Sequence, residues 1–149
     1  MYVKRGNTMK ISTKGRYALE IAADLAMHSD HEHRESLRNI ARRRDLSEKY
    51  LERIVKMLCS AGIVSSARGV RGGYCLAKDA REITLLEILE ASEGELAPVP
   101  CLTGKADCGM GCDQCPTREL WGDMWQIIKK TAGEITVADV CVKSGFNLY

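Results

Sequence analysis

The sequence lacks any apolar run approaching the roughly 20 residues that a membrane-spanning helix needs, so we expect no membrane segment. It also lacks an apolar stretch near its N-terminus, so we see no signal peptide and expect a cytoplasmic protein. Thiols stay reduced in the cytosol, and seven cysteines in such a chain indicate metal binding or redox chemistry rather than a disulfide framework. No phosphate loop, no HExxH motif and no nucleophile–base pair is recognisable, which predicts that the chain is not an enzyme and has no small-molecule substrate.

The charge is unevenly distributed, although the net charge of the 149 residues is only +2. Residues 1–80 contain 16 Lys and Arg against 9 Asp and Glu, whereas residues 81–149 contain 6 against 11. A basic half beside an acidic half is compatible with a polyanion-binding part followed by a part that does not touch the polyanion. Ordinary surface variation would give the same asymmetry, so charge alone does not decide.

The first 80 residues have the pattern of a DNA-binding domain. The spacing of apolar residues predicts a first helix from about residue 12 to 27, then a helix–turn–helix over 36–63 in which Ser47 caps the second helix and Gly62 ends it. Two short strand-like runs, 63–67 and 74–77, flank a Gly- and Arg-rich turn, which predicts a two-stranded wing. The second helix of such a pair enters the major groove, so its polar face is the candidate reading surface. The residues that we expect to contact DNA are Lys14 and Arg16 on the first helix, Lys49, Tyr50, Glu52 and Arg53 on the reading helix, and Arg68 and Arg71 on the wing.

The last 69 residues centre on a cysteine-rich loop, 101–115. It contains Cys101, Cys108, Cys112 and Cys115, and three glycines that leave it free to wrap a small group. Thiolates are soft ligands for iron–sulfur clusters and for zinc, and the sequence CxxC at 112 and 115 suits either. A metal-free thiol switch is a third interpretation, and an electron-transfer protein is a fourth that leaves the basic helix–turn–helix unexplained.

Helices are predicted on both sides of this loop. A capping box at Thr84 starts one that Gly94 ends, and another runs from Pro116 to about Thr131, where Gly133 breaks it. A last short helix, 137–142, is capped by Thr136. The apolar stripe on the helix after the loop, formed by Leu120, Trp121, Met124, Trp125, Ile127 and Ile128, exceeds what one exposed helix needs. A partner helix in a two-fold homodimer would cover it, and packing on the chain's own first helix is the alternative.

The motifs resemble the IscR/NsrR/CymR group of bacterial winged-helix regulators, the Rrf family. The matching stretches are MKISTKGRYALE (9–20), the reading helix and wing (45–79), ITLLEILEASEG (83–94) and CPTRELW (115–121). The resemblance implies a mainly α winged helix–turn–helix over 9–80, followed over 81–149 by a linker helix, the cysteine loop and a dimerisation helix. It also implies a homodimer on a palindromic operator in double-stranded DNA.

The resemblance further implies particular site residues. Lys49, Glu52 and Arg53 match base-reading positions, Tyr50 a backbone contact and Arg68 the wing arginine. Cluster-binding members hold an iron–sulfur cluster on three loop cysteines, which match Cys101, Cys108 and Cys115.

The resemblance breaks down at the fourth ligand. Arg118 stands where IscR-type members have a ligating His, and Arg16 stands where NsrR-type members have an Asp. Cys112 is the candidate replacement, because it supplies a fourth thiolate from the same loop. A three-cysteine site with an external or labile fourth ligand is the alternative. All-cysteine ligation is compatible with either a [2Fe–2S] or a [4Fe–4S] cluster.

Overall fold

The computed structural model describes residues 10–104, 109 and 111–145, apart from the side chain of Cys112. Within that part of the chain the fold is mainly α, with one two-stranded antiparallel sheet, as the sequence predicts. The elements are α1 (Thr13–His28), α2 (Leu37–Arg44), α3 (Glu48–Ser60), β1 (Val64–Ala67), β2 (Gly73–Leu76), α4 (Leu85–Glu93), α5 (Arg118–Glu134) and α6 (Val137–Lys143). Two short 3-10 helices, Pro100–Thr103 and Cys112–Gln114, lie between α4 and α5.

The predicted N-terminal caps of three helices are confirmed. The Ser47 hydroxyl accepts a hydrogen bond from the Tyr50 N–H at the start of α3. Thr84 and Glu87 form a complete capping box on α4, and Thr136 forms another with Asp139 on α6. Each cap satisfies backbone N–H groups that have no partner inside the helix, and so fixes where the helix begins.

Helices α2 and α3 form the helix–turn–helix. Asp45 ends α2 in the left-handed conformation (φ 52°, ψ 48°), which lets the chain reverse direction within the short turn. The inward face of α3 is the one that the sequence predicts: Leu51, Ile54, Val55 and Leu58 are all at most 2% exposed. Burial of this stripe leaves the polar face of α3 towards solvent.

The wing is a hairpin anchored by a third segment of chain. β1 and β2 pair from Val64 with Leu76 to Ala67 with Gly73. Glu35 forms an isolated antiparallel bridge with Tyr74, and the two residues exchange backbone hydrogen bonds of 2.8 Å. A side chain at position 73 would meet the Glu35 carbonyl oxygen at 2.6 Å, and φ there is 133°, so only glycine fits. A two-stranded hairpin is marginal by itself, and this bridge helps to hold the wing to the helices.

One hydrophobic core joins the helix–turn–helix to the last helix. Val137 and Cys141 of α6 are fully buried together with Ile21 and Leu25 of α1, and the Cys141 thiol donates to the Ala23 carbonyl at 3.7 Å. Ile83 and Ile88 belong to the same core. The two predicted domains therefore share one hydrophobic core.

Helix α5 corrects two predicted boundaries. It begins at Arg118 rather than at Pro116, and it runs through Gly133 to Glu134. A single glycine costs a helix only about 1 kcal/mol, and here Ala132 is buried while Gly133 faces Leu86 of α4. Packing on α4 therefore outweighs the local preference, and the expectation that Gly133 breaks the helix is wrong.

None of the described helices is both long enough and apolar enough to cross a lipid bilayer.

Candidate functional site

A groove between the N-terminus of α1 and the outer face of α3 brings several predicted DNA contacts together. Lys14 from α1 faces Tyr50 and Arg53 from α3 across it. The residues that line the groove are Ser12, Lys14, Tyr50, Arg53, Ile54, Lys56 and Met57. Lys56, a further cation, was not among the predicted contacts, although its position three residues after Arg53 on the same helix could have revealed it.

The polar face of α3 is exposed over the length that a major groove would meet. Lys49, Glu52 and Arg53 are all exposed, and the Glu52 carboxylate lies 3.6 Å from the Lys56 ammonium. Tyr50 is half-buried, because its ring packs edge-to-face on Tyr17 of α1 at 5.9 Å between centroids. That contact fixes the position of the Tyr50 ring at the edge of the core.

The remaining predicted contacts lie on either side of this face. Arg16 is exposed on the first turn of α1, and Arg68 and Arg71 are exposed on the wing. Between the two wing arginines Val70 projects into solvent with no covering contact. Arg71 also borders a concave surface lined by the 31–34 loop.

A buried carboxylate that sequence reasoning missed supports the helix–turn–helix. Asp24 of α1 is fully buried and accepts hydrogen bonds from Arg43 (2.6 and 3.2 Å) and Arg44 (3.0 Å) of α2. Arg43 also bonds Glu35 at 2.8 Å, and these two carboxylates keep the pKa of Arg43 raised against the effect of burial. The signal in the sequence was an acidic residue on the apolar face of α1, opposite three consecutive arginines.

Glu93 at the end of α4 caps the start of α1. Its carboxylate accepts hydrogen bonds from the Ser12 N–H (2.8 Å), the Gly15 N–H (3.1 Å) and the Ser12 hydroxyl. Ser12 occupies the N-cap position but makes no side-chain hydrogen bond to the backbone of α1, so the cap comes from Glu93 on another helix. A carboxylate is well placed at the positive end of a helix dipole. Glu93 therefore joins the helix that leads to the cysteine loop to the helix that carries Lys14 and Arg16.

The cysteine loop is described at its two ends. Cys101 lies in the first 3-10 helix and Cys115 just before α5, and both are half-buried. The backbone of Cys112 starts the second 3-10 helix, while Cys108 lies outside the described residues. The spacing of all four predicted ligands stays a prediction.

Arg118 contacts both described cysteines. Its Nη1 donates to the Cys101 carbonyl at 3.2 Å, and its backbone N–H faces the Cys115 thiol. Hydrogen bonds from Thr117, foremost, and from Arg118 lower the pKa of the Cys115 thiol. A thiol that ionises easily is a competent metal ligand, so the described part of the loop fits a thiolate-bound iron–sulfur cluster or zinc ion.

No group of three or more His, Cys, Asp or Glu side chains is arranged to hold a metal among residues 10–104, 109 and 111–145. Of the four loop cysteines, only Cys101 and Cys115 have described side chains. Of the three histidines, His28 bonds the Asp24 carbonyl at 2.9 Å, His33 lies beside Asp30, and His31 lies 3.6 Å from the Cys75 sulfur.

The three cysteines outside the loop are packed side chains. Cys75 and Cys141 are buried, and Cys59 is half-buried against the core. Burial raises the pKa of each of these thiols, which keeps them protonated and poorly reactive.

The apolar stripe of α5 is only partly covered within the chain. Trp125 and Ile128 pack with Leu89, Leu96 and Ala97 of the α4 segment. Leu120 and Ile127, two turns apart on one side of α5, are 62% and 66% exposed. The predicted stripe is therefore divided between packing inside the chain and exposure to solvent.

A sequence model of the Rrf2 family, described as iron-dependent transcriptional regulators, matches residues 11–143. The chain belongs to the Rrf2 family. Among Rrf2-family relatives, protein rrf2 of Nitratidesulfovibrio vulgaris is 34% identical over 94% of this chain and 96% of its own. The transcriptional regulator IscR of Serratia proteamaculans is 37% identical over 89% of this chain and 79% of its own, and CymR of Bacillus subtilis 40% over 89% of each.

Solved structures of Rrf2-family regulators have the same fold. The structure of CymR, named as the global cysteine regulator of B. subtilis, superposes with a TM-score of 0.74 at 37% identity, covering 91% of this chain and 98% of that one. The structure of T. potens IscR gives 0.70 at 33% identity, over 91% and 88%. Winged-helix regulators of the Rrf2 family bind DNA and are typically dimeric, so this chain is a DNA-binding transcription regulator and not an enzyme.

Proposed function

We propose that the chain is a homodimeric regulator whose affinity for a palindromic operator is controlled by an iron–sulfur cluster on Cys101, Cys108, Cys112 and Cys115. The observation that carries the proposal is the contact of Arg118 with both Cys101 and Cys115, in a chain of a family described as iron-dependent. When bound, such a cluster supplies a centre that iron supply, redox state or nitric oxide can change. Both [2Fe–2S] and [4Fe–4S] clusters suit four thiolates.

Residues 9–80 would bind the operator. Arg53 and Glu52 suit guanine and cytosine edges in the major groove, whereas Lys14, Arg16 and the Tyr50 hydroxyl suit phosphates. Lys49 matches a base-reading position in the resemblance, but its compact charge suits a phosphate, and we assign it there. Arg68 and Arg71 on the wing suit the minor groove or its phosphates. The shared groove of Lys14, Tyr50 and Arg53 supports this assignment, as does the exposure of Arg16, Lys49, Glu52, Arg53, Arg68 and Arg71.

Residues 81–149 would sense the signal and pair the subunits. The uncovered row of Leu120 and Ile127 on α5 would meet the same row on a second copy, which is the geometry of a two-fold interface. Two reading helices must then be spaced by about 34 Å, one turn of DNA. The dimer contact therefore determines whether both can bind at once.

The loop is joined to the DNA-binding surface through α4. Glu93 ends α4, and its carboxylate holds Ser12 and Gly15 beside Lys14. A change in the loop that favours one arrangement of α4 would shift the population of DNA-binding conformers, and hence the operator affinity.

Two other occupants of the loop are favoured by particular observations. The CxxC pair of Cys112 and Cys115 suits structural zinc. The lowered pKa of Cys115 suits a thiol switch, in which two cysteines form a disulfide with loss of two electrons and two protons to an oxidant.

Chemical analysis of protein purified without air distinguishes these cases. Iron with an equal amount of acid-labile sulfide and visible absorption supports the cluster, zinc alone supports the structural site, and neither supports the thiol switch. Cys112→Ser should lower the iron content if Cys112 is the fourth ligand, whereas Cys59→Ser, a change outside the loop, should not. Colourless, iron-poor protein whose operator affinity ignores the loop cysteines would refute the proposal.

A further inference from the structure

Helix α2 presents two arginines to solvent that none of the assignments above uses. Arg38 and Arg42 lie one turn apart and are both exposed. Neither makes an ion pair within 4 Å among the described residues. Their neighbours on α2 behave differently, because Arg43 and Arg44 turn inward to the buried Asp24. Of the three consecutive arginines, Arg43 and Arg44 therefore pair with the buried Asp24, whereas Arg42 lies on the exposed surface.

The two outward arginines lie beside the start of the reading helix. They line one shallow surface with Ala41 of α2, with Asp45 and Leu46 of the turn, and with Glu48, the first residue of α3. Asp45 and Glu48 are the acidic groups facing this surface, and Glu48 lies at the N-terminus of α3, where the helix dipole stabilises it. Glu35, the acidic residue just before α2, already forms an ion pair with Arg43.

Helix–turn–helix proteins place the first helix of the pair across the sugar–phosphate backbone while the second enters the groove. An arginine fork matches the oxygens of a phosphate and is always charged. We propose that Arg38 and Arg42 contact backbone phosphates of the bound duplex, beside the groove that α3 occupies. They extend the phosphate-binding surface beyond the α1–α3 groove to the turn at the start of the reading helix.

The test uses the salt dependence of DNA binding by the full chain. Log K falls with log salt with a slope of about −0.9 for each phosphate that the protein neutralises. Arg38→Gln with Arg42→Gln should therefore make this slope less steep by about 1.8 per subunit. The probe is a mixed-sequence duplex several helical turns long, together with an operator obtained by selection. Affinity for both should fall by the same factor, because phosphate contacts carry no sequence information.

A matched control removes the same charge elsewhere. Lys130→Gln with Lys143→Gln takes two exposed cations from α5 and α6 and should leave the slope close to that of the wild type. Replacing Arg38 and Arg42 by Lys should retain most of the slope, which separates lost charge from a disturbed fold. An unchanged slope in the Gln variant, or a loss confined to the operator, would overturn the proposal.

Discussion

The guanidinium of Arg118 donates a hydrogen bond to the backbone carbonyl of Cys101 at 3.2 Å. This contact ties the first residue of α5 to the first cysteine of the loop. Arg118 cannot lose its proton and therefore cannot be a metal ligand. The resemblance places a ligating histidine at this position. In this chain Arg118 occupies it and holds Cys101 to the start of α5 by a hydrogen bond.

Arg118→Gln should therefore weaken retention of a bound cluster. The shortened, neutral side chain loses the contact with Cys101 and the positive charge beside an anionic thiolate site, so we expect iron to be released to a chelator several-fold faster. Absorbance during chelation measures the rate. Lys130→Gln is the control for charge, and equal release rates in the three proteins would show that Arg118 does not fasten the site.

Arg53→Ala should relax operator discrimination. A side chain that reads one base edge contributes about 1–3 kcal/mol of preference for that base, so single-base operator variants should become closer in affinity. Lys49→Ala, on the same exposed face, should weaken operator and random duplex alike. A titration series over base substitutions checks both, and unchanged discrimination would remove Arg53 from the base-reading set.

Asp24→Asn should destabilise the fold strongly. The change leaves Arg43 and Arg44 facing a neutral amide at a fully buried position, and breaking a buried ion pair in this way costs about 3–5 kcal/mol. The free energy of unfolding in urea measures the loss. Asp79→Asn removes a solvent-exposed pair with Arg81, which salt and water screen, and should leave the free energy of unfolding nearly unchanged; similar losses at both positions would contradict the structural role of Asp24.

Glu93→Ala should lower both stability and operator affinity. The start of α1 loses a cap, which costs about 1 kcal/mol, and Lys14 loses its fixed position beside Tyr50. Urea unfolding and DNA titration measure the two effects. Glu90→Ala, on an exposed position of α4, is the control, and a stability loss with unaltered DNA affinity would limit Glu93 to capping.

Two carboxylates make stability fall in acid. Burial tends to raise the pKa of Glu35, but hydrogen bonds from Asn39 and Arg43 together outweigh burial and lower this pKa. The pKa of Glu87 is lowered in the same way, because hydrogen bonds from Thr84 and Lys78 outweigh its burial. A lowered folded-state pKa means stability that is present above the ordinary value of 4.5 and is lost as pH falls through the folded-state pKa. Unfolding in urea between neutral pH and pH below 4.5 should show this loss, and Glu35→Gln should flatten it.

The helix–turn–helix and the wing could be predicted because their signals are local. Ser47 before an amphipathic run, Thr84 three residues before Glu87, and a Gly-rich turn between two strand-like runs each act within a few residues. The boundary at Gly133 was wrong because a weak local preference competed with burial against α4. The local rules hold where no distant contact opposes them.

The contacts that organise the candidate site could not be predicted, because they join residues far apart in the chain. The members of each contact are 19 to 81 positions apart and belong to different elements: Asp24 with Arg43, Glu35 with Tyr74, and Glu93 with Ser12. No spacing rule links such pairs. Cysteine spacing likewise indicates which atoms are available to a metal, but the geometry depends on where α4 and α5 place the two ends of the loop.

The burial of Val137 and Cys141 against α1 has a consequence for synthesis of the protein. During synthesis α1 keeps part of its apolar face open until α6 emerges from the ribosome and packs against it. A nascent chain that already contains α3 therefore still lacks the packing of α6 against α1. A chain that ends before α6 would expose part of this core and would be degraded rather than act as a small independent DNA-binding protein.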